Sequence, residues 1–171
     1  CAAGEVYRAI LSGASHEELL QIADFYDYLE IQPCGNNQYL LRDDRYPEIN
    51  TWEDLQTINK KILALGDELG KLVVATCDVH FLNPEDAIAR RILQAGMGYP
   101  DEEQPPLYLR TTEEMLEEFS YLGKERAYEV VVENTNKIND MIEKFKPVPD
   151  RDQLYSPMIP GAKEKVESMS Y

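Results

Sequence analysis

Positive charge is scarce in this chain: 17 Lys and Arg stand against 32 Asp and Glu, a formal charge of −15. Gripping a phosphate backbone takes clustered cations, so this segment does not itself hold nucleic acid. Cysteine is equally sparse. Three cysteines at irregular spacing make no disulfide framework and fit a reducing cytoplasm. No run is long and apolar enough for a membrane span or a signal peptide, which leaves no membrane partner to expect. A glycine-rich phosphate loop after a strand, a nucleophilic Ser or Cys with a base at recognisable spacing, and an internal repeat are all missing.

What is present suffices for one ordinary domain. With 171 residues, 43% of them hydrophobic, the chain can bury a core without disulfides or structural metal. It opens on Cys1 with helix-like sequence almost at once, which reads as a piece excised from something longer.

Residues 72–86, LVVATCDVHFLNPED, organise the rest. The apolar run 72–75 suits a parallel strand covered on both faces. If the strand persists, Asp78 and His80 leave it on one face, carboxylate and imidazole together. Asn83 then caps a helix with Pro84 at its first position. Ligand sites in α/β folds sit at the carboxyl ends of parallel strands, where this Asp and His project. The same D-x-H also fits a helix-capping Asp and a surface His.

Upstream, Ser15 and Glu18 form a capping box, and residues 28–32 (YLEIQ) read as a second strand limited by Pro33. Glu30, Gln32 and, if the extension continues, Cys34 share its polar side. Cys34 is a third candidate ligand as thiolate, against the alternative of a small buried apolar residue. Glu30 is a supporting carboxylate, against a strand-end Glu reaching solvent. Residues 35–47 read as loop. A helix with apolar residues 55, 58, 62, 65 and 69 then joins the two strands, making a strand–helix–strand unit and a parallel pair. Its polar strand ends lie side by side. After an acidic, proline-rich loop at 99–106, a capping box at Thr111 and Glu114 opens one helix. A longer one begins near Lys124, with residues 127, 131, 134, 138 and 141 on one stripe, and from Pro147 the chain turns irregular.

Three stretches, FYDYLEIQPCG at 25–35, LVVATCDVHFLNPEDAIARRIL at 72–93 and RTTEEMLEEFSYLG at 110–123, together resemble the PolC-type α subunits of DNA polymerase III from low-GC Gram-positive bacteria. The likeness covers nearly the whole chain and is most specific in the middle stretch. It points to the later part of that family's PHP domain, after an inserted 3′–5′ exonuclease. The implied fold is α/β: part of a PHP-type (β/α)7 barrel with few parallel strands, many helices and a helix-rich C-terminal half. The implied divisions are 1–98 for the barrel portion, 99–146 for its helical continuation and 147–171 for a linker toward the polymerase palm.

The resemblance also implies roles. Asp78 and His80 match the family's closing D-x-H metal-ligand motif, and Cys34 falls where related PHP domains place a histidine. The family's opening HxH motif, its exonuclease carboxylates and its palm aspartates are absent. The chain is thus expected to be a structural part of a DNA-directed DNA polymerase, inactive alone, supporting nucleotidyl transfer located elsewhere in the parent. The alternative is a metal-dependent phosphoesterase or auxiliary proofreading activity of the PHP barrel. Implied cofactors are zinc or manganese in the complete barrel and magnesium in the polymerase. Implied partners are the exonuclease and palm of the same chain, DNA only through them, the sliding clamp and the replisome. Exposed barrel edges are expected to favour self-association of the fragment.

Overall fold

The computed structural model describes residues 3–100, 103–145, 160, 161 and 165. The chain forms two compact units, 1–141 and 142–171. The linker expected at 147–171 falls almost entirely outside the described residues. The first unit is helix-rich around one pair of parallel strands among the described residues.

Helices α1 (Glu5–Leu11) and α2 (His16–Asp24) open it. Ser15 caps α2 through the expected box: its hydroxyl accepts from the Glu18 N–H, and the Glu18 carboxylate accepts from the Ser15 N–H at 2.9 Å. Strand β1 (Leu29–Ile31) pairs in parallel with β2 (Val73–Ala75), Leu29 opposite Val73 and Ile31 opposite Ala75. Strand β1 is shorter than the predicted 28–32 by a residue at either end, and β2 begins one residue later than the predicted run 72–75. Their connection is α3 (Trp52–Leu69), boxed at its start by Thr51 and Asp54 and ended by Gly70 at φ 64°, where glycine costs nothing.

Leu55, Ile58, Ile62 and Leu65 of α3 are at most 3% exposed and share one core with Leu29, Ile31 and Val73. Burying each such side chain is worth about 1.5–3 kcal/mol. Gly66 sets how closely the helix approaches the sheet, because a Cβ there would stand 2.3 Å from Val73 Cγ2.

The far edge of β2 meets a helix instead of a third strand. Helix α6 (Lys124–Tyr128), a π-helical turn (Glu129–Glu133) and α7 (Asn134–Met141) run end to end. The widened turn departs from the regular helix expected from the sequence, yet Ala127, Val131 and Asn134 of the expected stripe are buried; Val130 joins them, and Met141 is exposed.

Two other segments depart from expectation. Cys34–Arg42 is a 3-10 helix broken at Asn37, anchored by the buried Leu40, where loop is expected. Helix α4 (Ala87–Gly96) follows its Asn83–Pro84 opening, yet its apolar residues Ile88, Ile92 and Leu93 are exposed. Helix α5 (Thr112–Glu118) starts on its predicted capping box. No helix among the described residues is long and apolar enough to cross a membrane.

Candidate metal centre

Strand β2 stops at Ala75 and gives way to a turn. Thr76 still donates its N–H to the Ile31 carbonyl at 3.1 Å. Asp78 then adopts φ 54°, a left-handed conformation that Asp tolerates better than most side chains. The period-two projection of Asp78 and His80 from one strand face is therefore corrected, because the strand ends at Ala75 and the left-handed Asp78 breaks its alternation.

The turn brings the two together by another route. His80 Nδ1 lies 2.8 Å from the Asp78 carbonyl oxygen and 3.9 Å from its carboxylate Oδ1. A carbonyl only accepts, so a neutral ring carries its proton on Nδ1 and leaves a lone pair on Nε2. Metal-ligating histidines are held in this way, with the second nitrogen donating to a carbonyl or carboxylate. The two side chains are 38% and 37% exposed, open enough for a cation to arrive from solvent.

The turn's flanks are pinned by distant residues. His80 and Phe81 both donate backbone N–H groups to the Leu107 carbonyl, at 2.8 and 3.3 Å, and Leu109 N–H returns to the Phe81 carbonyl at 3.1 Å. On the other side, the buried Asn36 donates from Nδ2 to the Cys77 carbonyl at 2.9 Å. Sequence reading misses Asn36 altogether, since its partner is 41 residues away. Cys77 places Sγ 3.3 Å from Met115 Sδ.

Glu30 lines a cleft of about 670 Å³ with Phe25, Tyr28, Val74, Thr76 and Ile138. Half-burial pushes its carboxyl up, but donors that include the Thr76 hydroxyl and the Gln32 amide outweigh this and hold it below the usual value. The Thr76 hydroxyl donates to Glu30 Oε1 at 2.6 Å, so the polar strand ends do lie side by side, as expected.

Cys34 does not continue the strand's polar side. Pro33 turns the chain into the 3-10 helix, and the buried thiol lies 3.9 Å from Asn59 Nδ2. Burial pushes it up to about 11, so it is a neutral thiol at ordinary pH. Asn59, hidden in the apolar stripe of α3, also donates to the Gln32 carbonyl at 3.0 Å and the Tyr121 hydroxyl at 2.9 Å. Among the described residues, no group of three or more His, Cys, Asp and Glu is placed to hold a metal ion. Asp78 and His80 suit zinc or manganese in donor type, and as a pair they fall short of the three or more ligands such a site requires. His16 pairs with Glu68 at 2.9 Å on an exposed surface.

No family model matches the chain. Among curated proteins it is similar to DNA polymerase III PolC-type of Clostridium perfringens, 52% identical over 171 residues that cover 99% of this chain. The corresponding proteins of Thermotoga petrophila and Bacillus subtilis are 44% and 43% identical, over 99% and 100% of this chain. In each case the chain spans about 12% of the relative's length.

Proposed function

We propose that this chain is one stretch of a PolC-type DNA polymerase III, lies within that enzyme's PHP domain, and braces nucleotidyl transfer carried out elsewhere in the parent. The observation that carries this reading is the unbroken similarity: 52% identity along 99% of the chain to a protein of which it spans 12%. Its charge of −15 agrees with a supporting role rather than direct contact with DNA. On this reading the partners are the exonuclease and palm of the same polypeptide, with DNA, sliding clamp and replisome engaged through them. Magnesium belongs to the polymerase centre. The short parallel pair β1–β2 with its covering α3 is a fragment of the barrel wall, closed only when the preceding strands are present.

A second reading, an auxiliary phosphoesterase or proofreading site in the complete barrel, is favoured by one local observation. The His80 ring is held through Nδ1 by the Asp78 carbonyl, which leaves the Nε2 lone pair for a ligand, and both side chains are more than a third exposed. Asp78 and His80 would hold a zinc or manganese ion there together with ligands from outside this chain. Such a metal activates water and polarises phosphoryl oxygens.

Two experiments separate these readings. Primer extension by the purified 171-residue chain is expected to yield no product, and robust synthesis would overturn the bracing role. Metal analysis of the full-length polymerase tests the second reading: Asp78→Ala and His80→Ala are expected to lower zinc or manganese content. Unchanged occupancy in both would remove them as ligands.

A further inference from the structure

The turn bearing Asp78 and His80 lies outside helix and strand, so its shape is imposed by its neighbours. We propose that Arg110 is a positioning residue for His80, acting through the backbone of 107–109. Its purpose rests on the reading of His80 as a ligand, while its geometry does not.

Arg110 reaches this role from the core. Its side chain is 1% exposed, with Nε 3.3 Å from Glu118 Oε1 and the guanidinium carbon 4.4 Å from the centre of the Tyr108 ring. The Glu118 contact is an ion pair by distance but is not aligned as a hydrogen bond, and Nη1 has no hydrogen-bond partner among the described residues. A buried cation satisfied so incompletely is a poor device for stability, because its desolvation offsets most of what the pair returns. A methionine of similar volume would fill the space as well. What a rigid, stacked guanidinium does supply is fixed direction.

The guanidinium thus sits over the Tyr108 ring while its Nε meets Glu118 at the end of α5. The intervening backbone is thereby held with the Leu107 carbonyl toward the His80 and Phe81 N–H groups. Asn36 fixes the Cys77 carbonyl at the other end. With both flanks pinned, Asp78 stays at φ 54° and its carbonyl stays 2.8 Å from His80 Nδ1. That bond selects the tautomer. Without Arg110, the turn relaxes toward negative φ, the carbonyl swings away, and the ring loses the contact that keeps Nε2 unprotonated.

The test is long-range proton–nitrogen correlation of the imidazoles in the 15N-labelled 171-residue chain, at about pH 8.5, where ordinary imidazoles are neutral. His16, the other histidine, hydrogen-bonds to Glu68 and serves as an internal control. The expected result is a single Nδ1–H tautomer for His80 in the wild type, lost to a mixture in Arg110→Met and in Glu118→Ala, with His16 unchanged. Tyr108→Phe keeps the stacked ring and the wild-type pattern. If Arg110→Met fails to fold, Glu118→Ala decides, since that side chain is 33% exposed and water can take the place of its carboxylate beside Arg110. A single Nδ1–H tautomer persisting in folded Arg110→Met or Glu118→Ala overturns the proposal, as does its absence from the wild type. A tautomer lost in the variants, combined with unchanged metal content of His80→Ala polymerase, supports the positioning role and removes only the ligand reading.

Discussion

Asn134 donates from Nδ2 to the Val73 carbonyl at 2.9 Å. Leu72, the preceding residue, turns its carbonyl to β1 and accepts from Leu29 N–H at 2.9 Å, so the Val73 carbonyl points away from the strand pair. A side-chain amide on α7 thus takes the place of a neighbouring strand. Asn134 is 2% exposed, and its removal leaves a buried carbonyl unsatisfied. Asn134→Ala is expected to cost about 1–3 kcal/mol. Urea unfolding checks this: the midpoint falls with the slope unchanged.

Gly66 answers a steric demand of the same strand. A methyl group there meets Val73 Cγ2 at 2.3 Å, so Gly66→Ala is expected to destabilise by about 1–3 kcal/mol despite alanine's better helix propensity. The clash is with a side chain. Adding Val73→Ala therefore recovers part of the loss, and a double-mutant cycle by denaturation measures the coupling.

Much of this frame is legible in the sequence because it is local. The boxes at Ser15 and Thr111 join residues three apart, and the stripe of α3 repeats within one helix. The strand–helix–strand unit follows from those signals. The site is less legible because its shape comes from afar. Nothing near Asp78 announces a left-handed turn, which depends on Asn36 and on the backbone of Leu107. The same distance hides Asn59, a polar residue inside an apolar stripe that ties α3 to Gln32 and Tyr121. Cys34 shares the polar side of β1 only if the strand runs on, and Pro33 ends that extension.

Acid weakens the folded state through carboxylates whose values are depressed on folding. Backbone N–H groups of Ser15 and Asn50, with further bonds from Ser15 and Thr51, hold Glu18 and Asp54 below the usual range. A depressed carboxylate stabilises fully above its unfolded value, roughly pH 4, and that contribution is lost as pH falls through the lower folded value. Urea midpoints are therefore expected to fall from pH 5 downward, and less steeply in Glu18→Gln and Asp54→Asn together.

Base acts with the opposite sign at Cys34. Its thiol is pushed up to about 11 by burial, so the folded state holds the proton longer than the unfolded chain, whose thiols titrate near roughly 8.5. The contribution is complete below that lower value and is lost as pH rises toward the folded one. Stability is expected to decline across this interval, with a shallower decline in Cys34→Ala. Alkylation at neutral pH is likewise expected to modify the partly exposed Cys77 before Cys34.

The placement of this chain within a PolC-type polymerase is tested most directly by exchange. The matching 12% of the Clostridium perfringens protein, which is 52% identical, can be replaced by these 171 residues and the chimera assayed for primer extension. Extension close to that of the unaltered enzyme is the expected result. A chimera that folds, shown by an unfolding transition like that of the unaltered enzyme, yet extends no primer would contradict the proposed role.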